Sequence, residues 1–186
     1  MLQHAVDCAN PAPLGFFAFS LTTALYMTSQ AGLTEAATQC DFPLGICFGG
    51  LTMLIVAILE MFRRNTLGAT VFGTFGAFWI AIEAVTVMPS DIKVAQAQGG
   101  GNCDCLSALF GVAAIGFMCV SVAYNLALPL VFLMIGIMFF LLSAGTTRPN
   151  IAKAAGWWGI FTSVLAFYIG MAILFEESWG REILPL

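Results

Sequence analysis

Charge is scarce in this sequence. Its 186 residues include six Lys or Arg and ten Asp or Glu, so charged side chains make up 9% of the chain and the net charge is −4. A soluble domain carries roughly a quarter charged residues, and a chain this short leaves much of its surface exposed. The shortage argues against a water-soluble fold. The few basic residues are scattered, without the patch that nucleic acid requires. The N-terminal Met-Leu-Gln-His-Ala-Val-Asp has no Lys or Arg, so it lacks the basic region of a secretory signal. The first apolar run is therefore expected to stay in the fold. His4 is the only histidine and lies in the N-terminal tail. No Walker loop, dinucleotide fingerprint or nucleophile elbow is found. These absences argue against an ATP-driven pump or a membrane-embedded hydrolase; neither an enzyme nor a cofactor is expected.

What is abundant is apolar surface. Hydrophobic residues make up 60% of the chain and the mean hydropathy is +0.96. Apolar runs fall at about 14–29, 43–62, 67–88, 106–124, 127–144 and 154–175. A spanning helix needs about 20 such residues, whereas barrel strands are about 10 long and alternate in polarity. The runs are long and do not alternate, so the chain reads as a single all-α transmembrane domain, a six-helix bundle over residues 1–186. Pro11, Pro13, Pro43, Pro89 and Pro149 sit at or beyond the ends of runs, where a missing N–H costs little. Short connections, Arg63–Thr66 and the region of Asn125, make neighbouring helices antiparallel. The longest loop, 89–105, contains Gly99, Gly100 and Gly101 and is expected to be mobile. Counting Lys and Arg gives a tie: Arg63, Arg64 and Arg181 on one side, Lys93, Arg148 and Lys153 on the other. The adjacent Arg63 and Arg64 favour a cytoplasmic N-terminus. Small residues spaced four apart, Gly45 and Gly49, Ala69 and Gly73, Ala155 and Gly159, suit close helix contact, either inside one chain or between subunits.

The most unusual segment is Asn10-Pro11-Ala12-Pro13-Leu14-Gly15-Phe16-Phe17. Asn10 is a candidate cap, and the prolines pre-set the entry into the first helix. Such a helix end offers unpaired N–H groups and positive partial charge, a resting place for a small carboxylate. The alternative is a plain helix start at the interface. Glu60 precedes Arg63 and Arg64 by three and four residues, which allows an ion pair or a role at the pore mouth. Glu83 lies inside an apolar run; it either reaches an aqueous vestibule or takes part in proton coupling.

The sequence from Asn10 onward resembles the acetate uptake transporter family, also called succinate–acetate permeases. The likeness rests on Asn10-Pro11-Ala12-Pro13-Leu14-Gly15, on Phe48-Gly49-Gly50 followed by Glu60, and on Asn65-Thr66-Leu67-Gly68-Ala69-Thr70-Val71-Phe72. It continues through Phe75-Gly76-Ala77-Phe78-Trp79, Ala155-Gly156-Trp157 and a tail with Gly180-Arg181 and Leu184-Pro185. The resemblance implies a hexameric ring in the cell membrane, with cytoplasmic termini and one pore per protomer for acetate and related small monocarboxylates, with succinate as a further substrate. It implies a hydrophobic constriction at Phe19, Phe75 and Ile135, the last placed by ungapped counting, and a size-selective small residue at Ala166. The carboxylate would be received at Asn10 and Pro11, and Thr22 and Thr70 are candidate polar wall residues. Glu60 and Glu83 are the candidate mouth or proton-carrying groups. No metal is expected, and a homo-hexamer and the lipid bilayer are the expected partners.

Three departures from the family pattern stand out. Phe75 replaces a Tyr, Met53 replaces a Gln, and Glu83 replaces an apolar residue. A neutral-solute channel for urea or ammonia, and a non-transporting sensor on the same fold, are the rival readings. Cys40, Cys103 and Cys105 fall in loops on one face of the membrane. If that face is oxidising, Cys40 can pair with Cys103 or Cys105; Cys103 and Cys105 without a nearby His make an incomplete zinc site.

Overall fold

The computed structural model describes residues 9–34, 40–86 and 102–186, and among them every regular element is helical. Helix α1, Ala12–Gln30, starts behind Pro11 with Pro13 in its first turn. Helix α2 is continuous over Asp41–Phe62. It is α-helical at Asp41–Leu44, π-helical at Gly45–Thr52 and α-helical again at Met53–Phe62. Then come α3 at Thr66–Thr86, α4 at Asn102–Ser121, α5 at Ala127–Gly145 and α6 at Pro149–Trp179. His4, Cys8, Pro89, Lys93 and the glycines 99–101 lie outside the described residues, as does the side chain of Cys103. Helix α6 outruns its apolar run at both ends. Pro149 occupies its first turn and Gly180, at φ 67°, ends it with an N–H to the Glu176 carbonyl at 2.9 Å, the proline-in, glycine-out pattern of helix ends.

The reversals are tight because side chains and backbone share the capping. After α2 the chain turns at Arg64, whose φ of 63° is a conformation glycine usually supplies. The Asn65 N–H reaches back to the Glu60 carbonyl at 3.0 Å. Asn65 Oδ1 then accepts the Gly68 N–H at 3.0 Å and so starts α3. Asn125 Oδ1 does the same for Leu128 N–H at 2.9 Å ahead of α5.

Each helix packs against its neighbours in sequence, and α1 packs along α6, which closes the six into a ring. The closing contact is backbone to backbone: a Cβ on Gly156 would lie 2.6 Å from Ala31 Cα. A Cβ on Gly49 would lie 2.8 Å from Thr22 Cγ2 and 2.9 Å from Trp79 Cγ, so the π segment of α2 sits directly on α1 and α3. Gly73 likewise faces Ala57, and Gly159 faces Met27. The small-residue spacings therefore serve contacts within the chain.

The outer surface is apolar. Leu51, Ile55 and Ile58 of α2, Leu109 and Val112 of α4, and Phe161 and Val164 of α6 are exposed, as lipid requires. Asp41–Phe62, Thr66–Val85, Ala127–Gly145 and Pro149–Trp179 are long and apolar enough to cross a membrane. Helix α4 is apolar over Cys105–Ser121, and α1 carries Ser20, Thr22, Thr23, Thr28, Ser29 and Gln30. Among the described residues, length and composition single out four of the six helices as candidate spans; α1 and α4 take their places from the ring.

Candidate functional site

Aromatic side chains fill the middle of the ring. Phe75 on α3 is their hub. Its ring stacks on Phe139 of α5 at a centroid distance of 6.0 Å and an interplanar angle of 16°. It lies 6.0 Å from Phe19 of α1 and 5.9 Å from Phe117 of α4. Beside Phe75 is a void of about 10 Å³ lined by Phe16, Phe19, Met53, Val71, Phe72, Phe75, Val131, Phe132, Ile135 and Ala166. Phe19, Phe75, Ile135 and Ala166, drawn from four helices, thus meet around one space, and Met53 joins them. A single water needs roughly 10–15 Å³, so this neck is too narrow for acetate as it stands.

A cavity opens on either side. The first, of about 640 Å³, shares Phe16, Val71, Phe72 and Phe132 with the neck. The second, of about 420 Å³, shares Phe19 and Phe75 with it. Cavity, neck and cavity therefore form one interrupted path through the ring.

The first cavity lies where α1 begins and α6 ends. Arg63, Arg181, Glu176 and Glu177 line it, with Asn10, Asn65 and Tyr124. Asn10 is the tie between them. Its Nδ2 donates to Glu177 Oε1 at 3.0 Å. Its Oδ1 accepts the Ala12 N–H at 3.1 Å and a hydrogen bond from Arg63 Nη1. Arg63 Nη1 also stands 3.7 Å from Oε2 of Glu60, which is 0% exposed. Glu60 therefore makes the ion pair its spacing allows, behind the cavity wall. The helix end is less open to an anion than the sequence suggests. Pro11 and Pro13 have no N–H, and that of Ala12 is taken by Asn10. Arg63 and Arg181, which the sequence reading did not assign to the path, face this cavity together with Glu176 and Glu177.

Among the described residues, the second cavity has no charged side chain in its lining. Its polar groups are Thr23, Tyr26, Gln30, Ser107 and Thr146, set among Phe78, Trp79, Phe139 and other apolar residues. No sequence motif marked them, since they come from α1, α4 and the end of α5, far apart in the chain. Thr22 and Thr70, the expected wall residues, line neither cavity. Thr22 packs against Gly49, while Thr70 is exposed and donates to the Thr66 carbonyl at 2.8 Å. Glu83 lines neither of these cavities either. It is buried against Gly45, where a Cβ would come within 2.5 Å of its Oε1. Cys40 and Cys105 are free thiols, so they do not form a disulfide with each other. Among the described residues no cluster could hold a metal ion.

Comparison with known proteins places this architecture. Residues 2–181 match the profile described as the GPR1/FUN34/yaaH family. An uncharacterized protein of Methanothermobacter thermautotrophicus is 31% identical over 95% of this chain and 90% of its own. The succinate-acetate/proton symporter SatP of Escherichia coli K12 is 31% identical over 96% of this chain and 95% of its own. The solved structure of the bacterial acetate channel SatP superimposes with a TM-score of 0.87, at 28% identity, covering 97% of this chain and 99% of that one.

Proposed function

The chain belongs to the GPR1/FUN34/yaaH family, and from that premise we propose that it is an integral membrane channel or transporter for acetate and related small monocarboxylates. The observation that carries this reading is the single apolar neck between two cavities, with Phe19, Phe75, Ile135 and Ala166 around one small void. An apolar constriction passes a small, weakly hydrated or protonated solute more readily than a hydrated ion, and can gate by dewetting. The guanidinium groups of Arg63 and Arg181, set beside Glu176 and Glu177 in the first cavity, offer the anion charge-assisted hydrogen bonds. Ala166 limits solute size at the neck, which bears on whether succinate also passes. The protein acts without covalent chemistry. Its termini face the cytoplasm, so the arginine-bearing cavity opens inward, and six copies form a ring in the cell membrane. The likeness to the acetate channel and the apolar outer helix faces support that assembly.

Uptake of labelled acetate into proteoliposomes, with and without a pH gradient, tests the reading. Flux above that of empty vesicles is expected. Accumulation beyond equilibrium only when a gradient is imposed means proton coupling through Glu60 or Glu83; equilibration alone means a passive channel. Swelling in urea or ammonia without acetate flux would instead favour a neutral-solute channel. No flux of any solute would favour a sensor.

A further inference from the structure

Hydroxyl groups in these helices usually settle on their own backbone. Ser20, Thr28 and Ser29 of α1 donate to the carbonyls of Phe17, Leu25 and Tyr26 at 3.3, 2.6 and 2.8 Å. Thr162 and Ser163 of α6 donate to Trp158 and Ile160 at 2.8 and 2.7 Å. Thr22 and Thr23 depart from this pattern. Among the described residues, the Oγ1 of each is buried without a hydrogen-bond partner. A buried hydroxyl left in that state bears its full desolvation cost, so its place in the fold calls for a reason.

The two hydroxyls face different things. Thr22 lies against Gly49, where α2 meets α1. Thr23 is 0% exposed and lines the second cavity. It follows Phe19 by four residues, one helical turn, on the same face of α1. Both side chains line that cavity, and Phe19 also lines the neck.

We propose that Thr23 Oγ1 is a hydrogen-bonding subsite that receives the solute's carboxyl group on the second-cavity side of the neck. The proposal deepens the transport reading and rests on it. The chemistry suits a solute that crosses in either protonation state. A hydroxyl donates to a carboxylate and can also accept from a carboxylic acid. Among the described residues, the cavity beyond the neck has no charged lining residue to hold the anion. One neutral hydrogen bond is strong enough to draw the carboxyl group past the rings and weak enough to release it, as conduction requires. With the neck shut, at about 10 Å³, Thr23 is 0% exposed; when Phe19 and Phe75 part to admit a solute, its hydroxyl gains the partner it lacks.

Three proteins in liposomes decide the matter: wild type, Thr23→Val and Thr23→Ser, each assayed for concentration-dependent acetate flux and for thermal midpoint in detergent. Loss of one hydrogen bond is expected to raise the half-saturating acetate concentration of Thr23→Val by between about 2- and 12-fold. Its thermal midpoint should be unchanged or higher, because an unpartnered buried hydroxyl has been replaced by a methyl group of similar size. Thr23→Ser should stay within about twofold of wild type. Wild-type saturation in Thr23→Val overturns the proposal. So does a fall in its thermal midpoint that Thr23→Ser recovers, which would make the hydroxyl structural. If wild type itself carries no acetate, the transport reading fails first and the subsite falls with it.

Discussion

Among the described residues, the cavity where α1 begins is lined by two arginines and two glutamates, whereas the cavity beyond the neck has hydroxyls, an amide and aromatic rings but no charge. The charged side is also the tied side. Glu60, Arg63, Asn10 and Glu177 form a chain of contacts that joins the end of α2, the entry to α1 and the last turns of α6. On the uncharged side the groups are held by ring packing, with Phe78 edge-on to Phe139 at 5.0 Å and Tyr26 edge-on to Trp79 at 5.7 Å. The difference separates two tasks. Attraction of an anion needs positive charge only where the anion is still hydrated and screened. Deeper in, a fixed charge would trap it, and an apolar neck followed by neutral hydrogen-bonding groups lets it go.

Removing the partition should have the largest effect. Phe75→Ala takes away the ring that touches Phe19, Phe110, Phe117 and Phe139, and so merges the cavities. Truncating a buried Phe costs about 3–5 kcal/mol of stability, read as a lower thermal midpoint. Acetate flux should rise about tenfold for every 1.4 kcal/mol removed from the barrier, and succinate should be excluded less well. A folded variant with wild-type flux and selectivity would mean that the neck is not the barrier.

Arg63→Gln attacks the charged side alone. It takes a cation from the first cavity and leaves Glu60 buried without its ion pair. Breaking a buried pair costs about 3–5 kcal/mol, reduced here to about 1–3 because Arg63 is partly exposed. Half-saturation should shift to higher acetate, most clearly at low salt. Adding Glu60→Gln should restore the stability but not the affinity. If both return together, Arg63 serves the fold and not the solute, and the contrast between the cavities loses its functional meaning.

Polarising the neck should change it less. Phe75→Tyr adds a hydroxyl and Met53→Gln an amide beside the same void. One new hydrogen bond to the carboxyl group is worth about 0.5–1.5 kcal/mol, so half-saturation should fall by about 2- to 12-fold. Unchanged acetate and succinate uptake in both variants would show that the solute passes the neck without polar contact.

How far the sequence could foresee this contrast depended on what each part is made of. Lipid as the solvent followed from composition, because apolar fraction needs no three-dimensional knowledge. Phe19 and Phe75 were placed by the motifs around them, and Ile135 and Ala166 by position relative to such motifs. The polar residues were not, because a helix turns about 100° per residue. Two adjacent threonines, Thr22 and Thr23, face different neighbours, and polarity alone does not choose between them. Thr70 looked like a wall residue for the same reason and lies on the outer face. Glu83 read as a vestibule group or a proton carrier, because a charge in an apolar run usually needs water or a function. What the one-dimensional pattern omits is Gly45, across on α2, which leaves room for the carboxylate inside. The π-helical stretch Gly45–Thr52 was equally hidden, since periodicity arguments assume the ordinary α-helical turn. Such stretches often mark functional sites, and this one seats Gly49 on Thr22 and Trp79.

The smallest expected effect lies away from both cavities. Gly116 of α4 is exposed, lines neither cavity, and a Cβ added there would meet nothing within 4 Å. Glycine inside a helix is less favourable than alanine by about 0.8–1.0 kcal/mol, so Gly116→Ala should raise the thermal midpoint modestly and leave acetate flux alone. The variant isolates the outer surface from the path, which the changes at Phe75, Arg63 and Met53 do not. A lower midpoint together with a smaller particle on size-exclusion chromatography would mean that another subunit fills the space beside Gly116. The outer face of α4 would then be part of the ring contact and not a lipid surface, and flux measured on any cavity variant would have to be read against the assembly that carries it.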